Sequence, residues 1–194
     1  QNVLKSIKKH LVEGDIFIDV GGNIGEYSNE LLSKFNPKEL HIFEPSKKNV
    51  LILKNRFQNH TNVFVNECGL SNINKESILY SDKIGSGLGS LTKRKVDHFN
   101  FSFDCEEKIK LKRFDDYWSK NIQSYNKIDF VKLDVEGHEL DVLDGFGEKI
   151  RDVKMIQFEF GGCNIDTKTY FRDFWYYFKE HNFSIFRITP FGTV

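Results

Sequence analysis

The chain has 194 residues, and its 28 Lys plus Arg balance 28 Asp plus Glu to a formal net charge of zero. That length suits one compact domain over residues 1–194, and in a neutral chain without a long Lys/Arg run nothing in the charge invites nucleic acid, which is not expected as a partner. A hydrophobic share of 39% excludes disorder, and no apolar run approaches the roughly 20 residues that a membrane span needs.

Short apolar runs alternate with amphipathic stretches, the pattern of βαβ units feeding a mostly parallel sheet. Ile16–Val20 is the first predicted strand and stops at Gly21-Gly22. A helix is expected from Gly25 to Phe35, ended by Asn36-Pro37. Leu40–Phe43 is the second strand, Asn49–Asn59 the next helix, and Val63–Val65 the third strand. The pattern weakens over residues 71–112, where Ser77–Tyr80 and Ile109–Leu111 are candidate strands around the Gly/Ser-rich segment Gly85–Ser90. We read this stretch as an insertion or lid, with a plain flexible hairpin tip as the other reading. A short helix at Phe114–Trp118 precedes the fourth main strand, Ile128–Val135, which turns at Glu136-Gly137 into a helix through Leu143. Met155–Phe160 is the fifth strand, Tyr170–His181 an aromatic-rich helix, and Ser184–Ile188 a last strand. A doubly wound sheet commonly finishes with a further edge strand, so the expectation is an incomplete C-terminus.

Cys68, Cys105 and Cys163 lie far apart and read as reduced thiols of a cytoplasmic protein, not as a disulfide framework or zinc site. The basic, polar stretch Gln1–Leu11 lacks the apolar run of a signal peptide.

The loop Asp19-Val20-Gly21-Gly22-Asn23-Ile24-Gly25 follows a buried strand and opens a helix. Glycines there let the backbone turn tightly and approach a ligand where a Cβ would collide. The G-x-x-x-G spacing differs from the G-x-G-x-x-G of dinucleotide binders, and Asp19 would set a negative charge beside a cationic amino-sulfonium ligand. Glu44, at the end of the second strand, suits the paired ribose hydroxyls of an adenosine. Glu67-Cys68, at the end of the third, offers a carboxylate and a backbone amide to an adenine edge. Glu67 also reads as a plain solvated acid.

With Phe43-Glu44-Pro45, Cys68-Gly69-Leu70-Ser71, Val131-Lys132-Leu133-Asp134-Val135-Glu136-Gly137-His138-Glu139 and Phe158-Glu159-Phe160, this loop resembles the class I methyltransferases, and within them the FkbM family. Gly22 stands where Ala is more usual. The resemblance implies an α/β, Rossmann-like doubly wound sheet in three α/β/α layers. It also implies S-adenosylmethionine as cofactor and a hydroxyl oxygen, often on a saccharide or other small molecule, as methyl acceptor. The cofactor residues are then Asp19, Gly21, Gly22, Asn23, Gly25, Glu44, Glu67 and Cys68.

An attacking alcohol must lose its proton. Asp134 is the first candidate base, with Glu136, Glu159 and His138 behind it. His138 also reads as an exposed first-turn residue, Glu139 as a helix-dipole complement, and Glu159 as a buried structural acid. Asp134, Glu136, His138 and Glu159 could instead gather a divalent cation, a reading set aside because strand-end carboxylates are explained without it. Phe171, Phe174, Trp175, Tyr177 and Phe178 are read as packing first and, with Trp118, as an acceptor platform second. The competing functions are a nucleotide-cofactor oxidoreductase and a non-catalytic cofactor-binding module.

Overall fold

The computed structural model describes residues 4, 7–8, 15–96, 102–122, 127–189 and 192–193. Its centre is a five-stranded sheet in the order β3-β2-β1-β7-β8, every pair parallel. The strands are β1 (Ile16–Val20), β2 (Glu39–Glu44), β3 (Val63–Glu67), β7 (Phe130–Leu133) and β8 (Ile156–Phe158). β1 and β7 are buried at every residue, as central strands must be when helices cover both faces.

Alternate side chains of β1 feed two cores. Ile16, Ile18 and Val20 face one cluster with Val131, Leu133, Phe146 and Phe174, whereas Phe17 faces another with Leu31, Phe35, Leu53 and Phe130. The second cluster is closed by α1 (Glu26–Phe35) and α2 (Lys47–Arg56). The first is closed by α3 (Phe114–Asn121), α4 (Glu139–Asp144) and α6 (Phe171–Glu180). This is the three-layer, doubly wound α/β arrangement expected from the sequence.

Local chemistry sets the element ends. Gly25 enters α1 at φ 82°, and Asn36 leaves it at φ 47°, both left-handed conformations that these residue types tolerate best. The Asp173 carboxylate accepts from the Tyr170 amide at 2.8 Å and so caps α6. The Glu136-Gly137 turn, with φ values of 54° and 100°, delays α4 to Glu139, later than the helical pattern suggests.

Residues 69–112 build a second sheet, ordered β4-β6-β5, from β4 (Gly69–Leu70), β5 (Lys75–Ser81) and β6 (Cys105–Lys112). Both expected strands of this region are present and longer than the pattern suggested, in antiparallel pairing. Part of the segment between them, residues 97–101, lies outside the described residues.

One expectation is corrected. Ser184–Ile188 does not form a strand on the main sheet. Only Ile188–Thr189 (β9) is extended, and it pairs with Gly192–Thr193 (β10). Phe183 and Ile185 pack on the first core while Phe186 is 65% exposed, so the alternation is real but no ladder to β8 accompanies it. A period-of-two pattern reports facing, and a strand also needs a partner.

Phe146 is fully buried and stacks on Phe114 at 4.1 Å between ring centroids. Phe146→Ala should therefore cost about 3–5 kcal/mol, read from urea unfolding monitored by circular dichroism.

Candidate functional site

Strand order reverses between β1 and β7, and the crevice opens at the carboxyl ends of these strands, where ligands of open α/β sheets bind. About 620 Å³ of empty space, part of it open solvent, lies between its lining residues. Gly21, Asn23 and Glu44 wall one side, Asp134, Glu136 and His138 another, and Leu79, Ile109 and Leu111 of the second sheet roof it.

The glycine loop is built around contacts that forbid side chains. A Cβ on Gly21 would lie 1.9 Å from the Asp134 carbonyl oxygen, and Gly21 holds φ 82°. At Gly22 a Cβ would meet Ile42 Cγ2 at 2.2 Å, which accounts for the missing Ala at this position. Gly21 and Gly22 amides both donate to the Phe43 carbonyl, at 3.0 and 3.1 Å. Gly25 is pressed against Leu53 and Phe57.

Glu44 is 5% exposed and reaches the loop directly. Its Oε2 accepts from the Asn23 amide at 2.8 Å and its Oε1 from the Ser46 amide at 2.9 Å. Burial pushes its carboxyl above the usual range, against the pull of these amides. Asn49, which sequence reasoning missed, donates from Nδ2 to Asn23 Oδ1 at 3.1 Å. It is itself buried, with Oδ1 unpartnered.

Three expected cofactor residues sit elsewhere. Asp19 is wholly buried beneath the loop, where it accepts from Ser28 Oγ and lies 3.5 Å from Lys132 Nζ. Its parity on β1 points it at α1, not into the crevice. Glu67 is at the surface, 3.8 Å from Lys54 Nζ. The Cys68 amide, the group expected at an adenine edge, donates to the Asn66 carbonyl at 3.0 Å, while its side chain packs into the first core, where burial raises the thiol to about 11. The strand ends alone do not reveal which way such side chains turn.

On the far wall, Asp134 is 3.2 Å from Lys132 Nζ. Its hydrogen bond to Glu159 is the first cause, ahead of burial and neighbouring acids, raising the Glu159 carboxyl to about 7. Burial works against the Lys132 charge, but Asp19 and Asp134 outweigh it and hold the ammonium above the ordinary lysine range. Glu136 accepts from Cys163 Sγ and lies 3.5 Å from Arg94 Nη1. Burial first, and Glu136 second, push the Cys163 thiol to about 12.

His138 is not the exposed residue expected. Its side chain is 17% exposed, with Nδ1 2.9 Å from Asp141 and Nε2 3.0 Å from Thr92 Oγ1. Glu139 does more than complement a helix dipole, because its Oε1 accepts from the Val135 and Gly137 amides and closes the turn. Asp134, Glu136, His138 and Glu159 do not form a metal cluster, and none of three or more His, Cys, Asp or Glu is found among the described residues. Of the aromatic cluster, Phe174 and Phe178 are core, as is Trp118, while Phe171 and Trp175 are exposed at 45% and 42%.

The model of the methyltransferase FkbM domain matches residues 19–185. The chain belongs to the FkbM methyltransferase family. A protein called Methyltransferase 1, from Beauveria bassiana (strain ARSEF 2860), is 22% identical over 155 residues. That match covers 73% of this chain and 62% of the relative, so the chain spans under two thirds of the relative's length. The precorrin-6y C5,15-methyltransferase of Geobacter metallireducens GS-15 shares the fold, with a TM-score of 0.50 and 9% identity over 97% of this chain and 77% of that one. A precorrin 8w decarboxylase from Methanobacterium thermoautotrophicum aligns over 100% of this chain and 81% of its own, with 14% identity and a TM-score of 0.48. No helix among the described residues is long and apolar enough to cross a membrane.

In this FkbM domain the second sheet is tied down over the crevice. A Cβ on Gly87 would stand 3.0 Å from Asn23 Nδ2. Ser90 Oγ donates to the Glu136 carbonyl at 2.9 Å, and Arg94 Nε donates to Asp166 at 2.9 Å. The signal for Lys132 was present in the sequence as a cation inside an otherwise apolar strand, in register with Asp19 of β1.

Gly21→Ala should strain a positive φ and drive a Cβ into the Asp134 carbonyl. The strain alone is worth about 1–3 kcal/mol, and differential scanning calorimetry should show at least that destabilisation.

Proposed function

We propose that this FkbM domain transfers a methyl group from S-adenosylmethionine to a hydroxyl oxygen of a small molecule or saccharide. The observation that carries the reading is the floor of the crevice: Gly21 without room for a Cβ, flanked by Asn23 and the buried Glu44, opposite Asp134. These residues fit a nucleoside with a cationic amino-acid tail, whereas nothing in the loop gathers amides around a pyrophosphate, as the oxidoreductase reading requires.

Gly21, pressed against the Asp134 carbonyl, sets the floor of the crevice, and Glu44 with Asn23 would hold the ribose hydroxyls. Asp19, Gly22 and Gly25 shape the loop from below. When bound, S-adenosylmethionine supplies an electrophilic methyl group. Asp134 would orient an acceptor hydroxyl and take its proton, a contribution worth roughly 10²–10⁴ in rate. Glu159 accompanies it with its carboxyl raised to about 7, so it keeps its proton below neutrality and is half ionised near pH 7. Glu136 and His138 hold the turn and the covering segment Ser90–Arg94, with which residues 71–96 and 102–112 act as a lid of the single domain.

Calorimetric titration should give micromolar binding of S-adenosylhomocysteine and none of NADH. Glu44→Ala should weaken the former at least tenfold, and a folded protein that ignores S-adenosylhomocysteine would end this reading. Asp134→Asn should lower kcat about 100-fold or more on a hydroxylated acceptor while S-adenosylhomocysteine affinity stays within about threefold. Full turnover in that variant would remove Asp134 as the base.

A further inference from the structure

We infer that Lys132 is a positioning residue, whose buried ammonium fixes the Asp134 carboxylate in the crevice and leaves the proton of the Asp134–Glu159 pair on Glu159. This deepens the methyl-transfer reading and rests on it for the catalytic meaning of Asp134, but not for the proton linkage itself.

The geometry is specific. Lys132 is the third residue of β7 and only 7% exposed, with its Nζ 3.5 Å from Asp19 Oδ1 and 3.2 Å from Asp134 Oδ2. From α1, the Tyr27 ring lies beneath the ammonium at 5.1 Å, and Tyr27 OH donates to Gln157 of β8. Burial first, then Asp19, raises the Tyr27 phenol, so it stays neutral. Ser28 of the same helix donates to Asp19 Oδ2. The charged groups around the cation are therefore Asp19 from β1 and Asp134 after β7. Glu159 after β8 faces Asp134 in turn, with Glu136 and Glu139 acting on it from the following turn.

Asp134 and Glu159 follow the paired residues Leu133 and Phe158 of neighbouring strands, with the Glu159 amide donating to the Leu133 carbonyl at 3.1 Å, and carboxylates side by side share one proton because both cannot ionise cheaply. A cation placed against one member decides which keeps the charge. Lys132 touches Asp134 and has no contact with Glu159, so the proton belongs on Glu159. A lysine at this site thus sets both the direction and the charge of the group that meets the acceptor. Asp19 holds the other side of the ammonium and limits how strongly it pulls on Asp134.

The test reads carboxylates, not turnover. Protein labelled with ¹³C at Asp and Glu carboxyls is titrated by NMR, with Asp134→Asn and Glu159→Gln assigning the pair. The Glu159 signal should titrate near pH 7. In Lys132→Met its midpoint should rise by about one to three pH units, whereas Lys132→Arg should keep it within half that change. In Asp19→Asn the freed ammonium should lower the midpoint, a reading that stands even if Lys132→Met fails to fold. A folded Lys132→Met with an unmoved midpoint, or an unmoved midpoint in Asp19→Asn, would overturn the proposal. Calorimetry with S-adenosylhomocysteine on the same samples separates this from the functional reading: loss of cofactor binding in the wild type would sink methyl transfer and leave the proton linkage intact.

Discussion

A lysine inside a parallel sheet must find counter-charges or give up its own, because moving an ammonium out of water costs several kcal/mol even after relaxation. Lys132 finds them in Asp19, its register neighbour on β1, and Asp134, two residues along its own chain. That requirement ties the two central strands together at the level where the strand order reverses. The same junction presses Gly21 against the Asp134 carbonyl. The floor of the crevice and the buried ion triad are thus one construction, and neither can move without the other. Tyr27 and Ser28 extend it into α1, so the helix that follows the glycine loop is held by the same charges.

Much of the fold was legible because central strands of a parallel sheet are apolar on both faces and glycine or proline punctuates their ends. The five main strands and the helices between them follow from that alone, with ends shifted by a few residues where turns at Pro45-Ser46 and Glu136-Gly137 intervene. Ser184–Ile188 misled for the reason that pairing is not written in one segment's own sequence. At the site, Gly21, Asn23, Glu44 and Asp134 were legible as residues at strand ends. Asp19 and Glu67 have the same credentials but point away, one into the α1 layer and one to solvent. Side-chain direction past the last ladder residue depends on tertiary contacts, which is also why His138 was misplaced. Its bond to Thr92 spans 46 positions and reaches the segment that covers the crevice.

The second sheet is more than decoration on this frame. Leu79, Ile109 and Leu111 roof the crevice, and Gly85 and Gly87 approach Lys48, Asn49 and Asn23 where a Cβ would crowd them. Small residues in that segment therefore serve close contact. Asn49, buried with an unpartnered Oδ1 beside Gly85, is the polar group at which the glycine loop, Glu44 and the covering segment meet. A buried amide with an unused acceptor costs about 1–3 kcal/mol, a cost that a hydrogen-bonding neighbour in this corner would relieve.

The crevice also carries an electrostatic penalty that the rest of the molecule offsets. Glu44 and Glu139 are raised by burial, and Glu159 chiefly by its bond to Asp134. For an acid raised in this way the folded protein holds a proton that the unfolded chain releases. Its contribution to stability is therefore present at low pH and lost as pH climbs, for Glu159 between its ordinary 4.5 and about 7. Glu136 adds a left-handed backbone at φ 54°, the kind of local strain that persists only where surroundings over-determine it. Here they do: the Glu139 carboxylate grips the turn from inside, Ser90 holds its carbonyl, and Gly137 fits against Cys163 with no space for a side chain.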